Sequence, residues 1–252
     1  MKLLSRSCYV THELCLLPTM TLPTMLIREG GPIESPFGAT AQDDTSGANI
    51  WPAAIVLARA LAEPPLRAAL GGASVLELGA GCGVAGLTAA MLGEAKDVVL
   101  TDLNAQTLAN LQHNVSLHDD SGASSPTVVT AQRLDWRDAS TWPPQRFDLI
   151  LGADLVYDEA ASPMVAGVVS GLLRPGGLFV HCRPRHGRLG VDAFPACLAE
   201  CGINLDLEKE ALSHMLASPL HDPIEAGEVC AAHFEALMSR EQFVLQCFRL
   251  RA

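Results

Sequence analysis

The chain alternates between short apolar runs and longer segments in which apolar residues recur with helical spacing. The short runs are bounded by polar residues or glycine, which is typical of strands buried on both faces of a sheet; examples are SVLELG, DVVLTD and LFVHCR. In the longer segments, apolar residues stand three and four positions apart, as on one face of a helix; examples are WPAAIVLARALA, AQTLANLQHNVSLH and SPMVAGVVSGLL. Strands that alternate with helices in this way predict an α/β fold with a doubly wound, mostly parallel, Rossmann-like sheet.

The two ends of the chain depart from this alternation. INLDLEKEAL and QFVLQCFRL, late in the sequence, are strand-like segments joined by a long connection with a predicted helix near residues 225–239. They predict an antiparallel C-terminal hairpin that completes a seven-stranded sheet. Residues 1–48 are predicted to be an irregular extension, in which YVTHELCLL and TMLIRE can pair as a hairpin, and residues 49–252 to form the α/β domain.

Local signals mark the ends of individual helices. Pro64 and Pro65 are expected to stop the first helix of the α/β domain. Asn104 and Ser162 are expected to cap the starts of two later helices, and Gly93 to follow the end of another. These signals set the boundaries of the predicted strand–helix units.

The net charge of the chain argues against two kinds of binding partner. The chain of 252 residues contains 17 Lys and Arg and 28 Asp and Glu residues, so its formal net charge is −11. Such a surface repels phosphate, which argues against binding of nucleic acid or of an anionic membrane. The apolar run over residues 14–27 is interrupted by Pro18 and Pro23 and is too short to span a bilayer.

Cysteine usage points to a reducing environment. The eight cysteines are scattered through apolar stretches and form no C-x-x-C pair, so zinc-site spacing is missing and no metal is expected. Scattered cysteines in a chain of this size predict reduced thiols. We therefore expect a protein of the cytoplasm, or of the nucleus. We also expect it to be a monomer.

A glycine-rich turn follows the first predicted strand of the α/β domain. It contains Gly79, Ala80, Gly81 and Gly83, and the next strand ends in Asp102, nineteen residues after Gly83. Glycines at this place let the backbone approach a ligand and adopt positive φ. A carboxylate at the end of the neighbouring strand can accept hydrogen bonds from both hydroxyls of a ribose. The pattern predicts a nucleoside-containing ligand at this edge of the sheet.

The turn alone does not choose the ligand, because residues 81–86 satisfy G-x-G-x-x-G and leave a nicotinamide dinucleotide as an alternative. Three features argue against the dinucleotide, the first of which is that the remaining chain holds no obvious second domain for a hydride acceptor. Glu77 lies inside the strand, where a carboxylate suits positive charge better than a pyrophosphate. Asp135 and Trp136 close the third strand and offer an acid and a flat ring for a purine.

Taken together, several motifs resemble the seven-strand methyltransferases that use S-adenosylmethionine, and in particular the methyltransferase 16 group of protein-lysine methyltransferases. The resemblance extends from about Asn49 to about Ala193. It rests on the following segments: GANIWPAAIVLARAL, VLELGAGCGVAGLTAAMLG, VVLTDLN, LDW, FDLILGADLVYD and HCRPRHG. Pro52 departs from the pattern, since several relatives carry an acid there.

The resemblance implies how S-adenosylmethionine is held. Trp51 packs against the cofactor, the turn from Gly79 to Gly81 passes under its methionine part, and Asp102 holds the ribose. Asp135 and Trp136 flank the adenine. In the same way, the resemblance implies that Ala153 lines the pocket near the sulfonium.

The resemblance also implies the acceptor side of the site. Asp154-Leu155-Val156-Tyr157 matches a D-x-x-Y element next to the transferred methyl group, which makes Asp154 and Tyr157 the candidate catalytic residues and a protein lysine the expected acceptor. We expect Asp154 to orient the lysine, although its charge favours the unreactive ammonium, and Tyr157 to supply an aromatic wall. Arginine, histidine or a small-molecule nitrogen remains open as acceptor, as does an interaction module that binds the cofactor without catalysis.

Overall fold

Strands in the described part of the chain form a small hairpin and a large mixed sheet, seen in a computed structural model that describes residues 9–17, 24–30, 46–120, 127–220, 228–239 and 242–251. The strands are β1 (Tyr9–Leu14), β2 (Met25–Gly30), β3 (Ser74–Leu78), β4 (Asp97–Asp102), β5 (Val128–Arg133), β6 (Phe147–Ala153), β7 (Leu173–Pro184), β8 (Ile203–Glu210) and β9 (Phe243–Leu250). The large sheet has the order β5-β4-β3-β6-β7-β9-β8. Its first five strands are parallel, whereas β9 is antiparallel to both neighbours. The predicted fold class, including the C-terminal hairpin, is confirmed.

Helices cover both faces of the large sheet. They are α1 (Pro52–Leu61), α2 (Pro64–Leu70), α3 (Val84–Met91), α4 (Ala105–Asp120), α5 (Ala161–Leu172), α6 (Phe194–Glu200) and α7 (Glu228–Ser239). Consecutive residues of β3 point to opposite faces, so Val75 packs into the core beneath α1 and α3, and Leu76 into the core beneath α5 and α6. Within the described ranges, no helix has the length and apolarity that crossing a membrane requires.

The topology places three strand ends together. β3 lies between β4 and β6, and the chain leaves it toward β4 before returning to β6 on the other side. The order of strands therefore reverses at β3, which opens a crevice beyond the carboxyl ends of these parallel strands. The glycine turn after β3, Asp102 at the end of β4 and Asp154 after β6 all stand at this edge.

The predicted N-terminal hairpin is present and packs into the same core as the sheet. β1 and β2 pair antiparallel, and Leu14 and Ile27 are fully buried. Arg28 of β2 is fixed to α4, because its Nε donates to Asn110 Oδ1 at 2.7 Å and its backbone N–H donates to Asn114 Oδ1 at 2.9 Å. The domain boundary at residue 48 remains a prediction, but these contacts join the hairpin closely to the α/β unit.

One local expectation is incomplete and another is wrong. The prolines end α1 as expected, but Pro64 also begins α2, which the sequence did not predict; proline is tolerated in a first turn because its missing N–H would have no helical partner there. Ser162 does not cap α5: Asp158 Oδ1 accepts the hydrogen bond from Ala161 N–H at 2.9 Å, and Ser162 Oγ donates to Gly190 O at 2.8 Å. Asn104 caps α4 as predicted.

Arg59 joins distant segments from a buried position on α1. Its side chain donates to the backbone oxygens of Leu16 at 3.0 Å, Met215 at 2.9 Å and Ala217 at 2.7 Å. The residue is only 5% exposed. These carbonyls have to find another donor or water if the guanidinium is removed, which makes Arg59 a tie between the early and late parts of the chain.

Replacing Arg59 by leucine is expected to lower the free energy of unfolding by about 3 kcal/mol, because several buried carbonyls lose charge-assisted hydrogen bonds. Urea unfolding measures the change. The matched control is Arg67→Leu, which removes a half-exposed ion pair with Glu94 and should cost less than about 1 kcal/mol. Equal losses in the two variants would contradict the role given to Arg59.

Candidate functional site

The turn after β3 has the conformation that its glycines make accessible. Gly79, Gly81 and Gly83 have φ of 55°, 56° and 84°, in the left-handed region that side chains other than glycine rarely adopt. At Gly81 a side chain would also collide, since an added Cβ would lie 2.8 Å from the carbonyl oxygen of Gly47. Gly47 belongs to a short 3-10 turn, η1 (Ser46–Ala48), that closes over the glycine turn.

Asp102 holds the end of β4 next to this turn. Its Oδ2 accepts a hydrogen bond from Gly81 N–H at 3.0 Å, and its Oδ1 accepts one from Leu103 N–H at 2.8 Å. Its Oδ1 also accepts one from Asn104 N–H at 3.3 Å, and a hydrogen bond from Asp102 to a ligand hydroxyl stays a prediction. The structure thus brings together the glycine turn and the acid that the sequence paired.

Two tryptophans stand at the edges of the candidate pocket. Trp51 precedes α1, is 36% exposed, and donates from Nε1 to Ser46 O at 3.0 Å. Trp136 is half-buried, and its Cζ2 lies 3.5 Å from the position of a Cβ on Gly79. Trp51 is therefore anchored to η1 above the turn, and Trp136 reaches the turn from the end of β5. Contact of either ring with a cofactor stays a prediction.

Asp135 lies beside Trp136 but is already paired. Its Oδ1 accepts hydrogen bonds from Arg137 N–H and Nε, both at 3.0 Å. The Arg137 hydrogen bond holds the pKa of Asp135 below its ordinary value. The backbone oxygen of Asp135 also accepts from Trp142 Nε1 at 2.9 Å. These contacts fix the loop after β5 and engage the Asp135 carboxylate; a contact of Asp135 with adenine stays a prediction.

Glu77 is buried under the glycine turn. It is 1% exposed, and its Oε2 accepts a hydrogen bond from Gly86 N–H in the first turn of α3, at 2.8 Å. Burial raises the pKa of Glu77 to about 8; the Gly86 hydrogen bond opposes this rise and the charge of Asp102 adds to it. The contact shown is one that holds α3 against β3, whereas a direct contact of Glu77 with a ligand stays a prediction.

The D-x-x-Y element follows Ala153 at the end of β6. Its two middle residues, Leu155 and Val156, are buried at 2% and 1% exposure and anchor the segment. Its two outer residues reach the surface differently: Asp154 lines a cleft, and Tyr157 is 51% exposed. Asp154 has a φ of 54° and is the one non-glycine residue with positive φ among the residues that the structure describes. Aspartate tolerates this left-handed conformation better than most residues.

The cleft beside Asp154 has a volume of about 380 Å³. Trp51 and Pro52 line it from the start of α1, Arg188 lines it from the loop after β7, and α7 contributes a further wall. The sequence reasoning missed Arg188 and the wall from α7. The basic segment HCRPRHGR at the end of an apolar strand was the available signal for Arg188. Among the described residues, no group of three or more His, Cys, Asp or Glu is placed to hold a metal ion.

The fold and the glycine turn define the class of protein. The structure aligns with the T. thermophilus 16S rRNA N2 G1207 methyltransferase (RsmC) over 98% of this chain and 51% of that chain, with a TM-score of 0.59 and 17% sequence identity. At this identity the likeness shows the fold, which is the Rossmann-like fold of methyltransferases. The topological switch at β3 and the acid at the end of β4 are consistent with this class.

The chain belongs to the lysine methyltransferase family, whose sequence profile matches residues 39–188. It is 33% identical to EEF1A lysine methyltransferase 3 of Mus musculus over 123 residues, or 49% of this chain and 50% of that protein. It is 34% identical to protein N-lysine methyltransferase METTL21A of Danio rerio over 141 residues, or 55% of this chain and 62% of that protein. The chain thus spans about half to three-fifths of the length of these relatives.

Alanine at Gly81 tests how tightly η1 closes over the glycine turn. We expect Gly81→Ala to lower the free energy of unfolding more than Gly72→Ala, by about 1 kcal/mol or more, because overpacking adds to the backbone strain. Both glycines have positive φ, 56° and 69°. Only the Cβ at Gly81 meets backbone, since nothing lies within 4 Å of one at Gly72. Urea unfolding measures both variants. Equal losses in their free energies of unfolding would show that η1 shifts to admit the methyl group without destabilising the fold, and would contradict this prediction.

Glutamine at Glu77 tests the protonation of the buried carboxyl group. Between pH 4.5 and about 8, the unfolded chain releases the Glu77 proton and the folded protein keeps it, so stability falls as the pH rises. Glu77→Gln lacks this loss. We expect its free energy of unfolding, relative to the wild type, to rise by up to about 1.4 kcal/mol per pH unit in this window. Urea unfolding at a series of pH values measures it, and a constant difference would contradict the raised pKa.

Proposed function

We propose that this protein transfers a methyl group from S-adenosylmethionine to a lysine side chain of another protein. The observation that carries the proposal is the meeting of two elements at one edge of the sheet. The glycine turn with Asp102 forms a cradle at the ends of β3 and β4, and the D-x-x-Y element starts where the adjacent β6 ends. Membership of the lysine methyltransferase family supports the same activity.

The described residues fit the proposed cofactor. Gly79 and Gly81 hold the turn in a left-handed conformation at the edge of the crevice, where the backbone can approach a ligand closely. Asp102 would accept from the ribose hydroxyls, and Trp136, at the end of β5, would face the adenine. Trp51 and Ala153 would border the reacting end. When bound, the cofactor supplies a methyl group on a positively charged sulfur, ready for in-line displacement.

The chain itself has to orient the acceptor and control its proton. A lysine ammonium has a reference pKa of about 10.4, so it must lose a proton before its nitrogen can attack. In the cleft, burial disfavours the ammonium, whereas a carboxylate at Asp154 favours it. Tyr157 presents an exposed ring and hydroxyl two residues beyond the buried anchor Leu155. Holding the amine at about 3–3.5 Å from the methyl carbon supplies several kcal/mol of the barrier through orientation.

A protein substrate fits the open form of the site. Asp154 lies in a cleft rather than in a closed cavity, and side chains around it are exposed, Trp51 at 36% and Tyr157 at 51%. The net charge of −11 favours a basic partner over a polyanion. Monomeric state and location in the cytoplasm or nucleus stay predictions from the sequence.

Cofactor binding is tested by calorimetry with S-adenosylmethionine. Asp102→Ala is expected to weaken binding by about 10-fold to 100-fold, because it removes charge-assisted hydrogen bonds to the ribose. The matched control is Asp97→Ala, which removes the same charge at the opposite end of β4, where Asp97 accepts from Ser74 Oγ. Unchanged binding by Asp102→Ala, or equal losses in both variants, would contradict the assigned cradle.

Methyl transfer is tested by labelling. The protein is incubated with methyl-tritiated S-adenosylmethionine and a cell extract that lacks it, and the labelled band is examined by mass spectrometry. We expect label on a protein lysine, and Asp154→Ala should bind the cofactor normally but transfer at least about 10-fold more slowly. Label on arginine, histidine or a small molecule would contradict lysine as acceptor. Binding without any label would indicate a non-catalytic module and contradict the activity.

A further inference from the structure

Arg188 occupies both carboxylate oxygens of Asp154. Its Nε donates to Oδ1 at 2.8 Å and its Nη2 donates to Oδ2 at 2.6 Å, a bidentate arrangement. The two side chains are only 19% and 9% exposed, and both line the cleft. A guanidinium stays protonated at all physiological pH values. Asp154 therefore enters the cleft as half of a neutral ion pair and not as an isolated negative charge.

The fold holds Arg188 at this place from both sides. The backbone N–H of Asp154 donates to Cys182 O in β7 at 2.8 Å, which ties the acid to the strand that leads into the Arg188 loop. Beyond Arg188, the loop is anchored at Gly190, which has φ of 81° and approaches the backbone of residues 158–159 so closely that an added Cβ would lie 2.6 Å from Asp158 O. Ser162 Oγ fixes the same glycine through its carbonyl. Contacts on both sides of the loop therefore hold the Asp154–Arg188 ion pair in place.

The pairing changes what Asp154 does to an incoming lysine. A lone carboxylate beside the amine would stabilise the ammonium through Coulomb attraction, which is stronger in a cleft than in bulk water. That attraction aids capture but raises the cost of losing the proton. With Arg188 in place, the carboxylate can still accept a hydrogen bond from the amine, while its charge is balanced.

We propose that Arg188 is a positioning residue that acts through Asp154: it neutralises the carboxylate so that the bound lysine is held as the neutral amine. The proposal rests on the proposed function. In the step concerned, the ammonium gives its proton to water, the nitrogen lone pair forms the N–C bond, and the electrons of the broken S–C bond stay on sulfur. Arg188 contributes to the first of these events and takes no part in the bond exchange.

Other charged and titratable groups near the pair come from neighbouring elements. Cys182 lies beside Asp154 on β7, where burial raises the pKa of its thiol far above neutrality, so it stays uncharged. His233 of α7 lines the cleft, with its Nε2 3.7 Å from Glu29 Oε1. Within the described residues that line the cleft, Arg188 is the group that contacts the Asp154 carboxylate through two hydrogen bonds.

The test compares the pH dependence of methylation by three variants, with the protein labelled in the extract experiment as acceptor. For Arg188→Gln we expect KM to fall several-fold, because the ammonium binds more tightly. We expect kcat to fall about 10-fold near neutral pH, and its pH profile to shift by about one unit or more toward alkaline pH. Arg188→Lys keeps the positive charge and should restore a profile close to that of the wild type.

The matched control is Arg185→Gln, which removes a positive charge from the same loop but pairs with Glu210 instead of Asp154; its profile should equal that of the wild type. Unchanged calorimetric affinity for S-adenosylmethionine shows that each variant is folded. A pH-independent loss in Arg188→Gln, or a gain in kcat at neutral pH, would overturn the proposal in favour of a structural or an obstructing residue. An unlabelled extract with the wild type would overturn the proposed function itself, whereas label with superimposable profiles would overturn only the role of Arg188.

Discussion

The site depends on the close passage of two backbones. The turn that leaves β3 runs under η1, and the gap between Gly81 and Gly47 is too small for a single methyl group. Because the same turn sits where the strand order reverses, it also meets the end of β4, and Asp102 can reach Gly81 N–H. Gly81 is therefore constrained twice, by its positive φ and by its short distance from Gly47. The shape of the crevice follows from both constraints.

Each acidic residue at this edge has a different electrostatic environment. Glu77 is buried against Gly86, and its pKa is raised to about 8. Asp135 is fixed by Arg137, and Asp154 by Arg188. Asp102 accepts from backbone N–H groups. A net charge of −11 is thus compatible with a site whose acids are protonated, paired or hydrogen-bonded, so that few bare charges face a cationic ligand.

The sequence was informative where a residue's role depends on its own strand and turn. The glycine turn and Asp102 could be placed because each follows directly from an apolar run, and the parallel sheet brings such ends together. Asp135 pairs with Arg137, only two residues away, and a contact of this kind is within reach of local reasoning. Arg188 is different: it lies 34 residues after Asp154, and their contact depends on how β7 and its loop pack beside β6. The position of α7 against the cleft could not be predicted either. The hydrophobic pattern of a helix in a long connection does not indicate which part of the fold the helix packs against.

Arg59 has a consequence for how the protein is made. The donor groups of Arg59 lie on α1. Its acceptors lie partly near residue 16 and partly at residues 215–218, the latter more than 150 positions after Arg59. During synthesis α1 therefore emerges before the acceptors at residues 215–218 exist, and the guanidinium of Arg59 stays hydrated until they are translated. Such long-range closure slows folding. The hydrogen bonds that bury Arg59 can therefore be completed only after synthesis has passed residue 218.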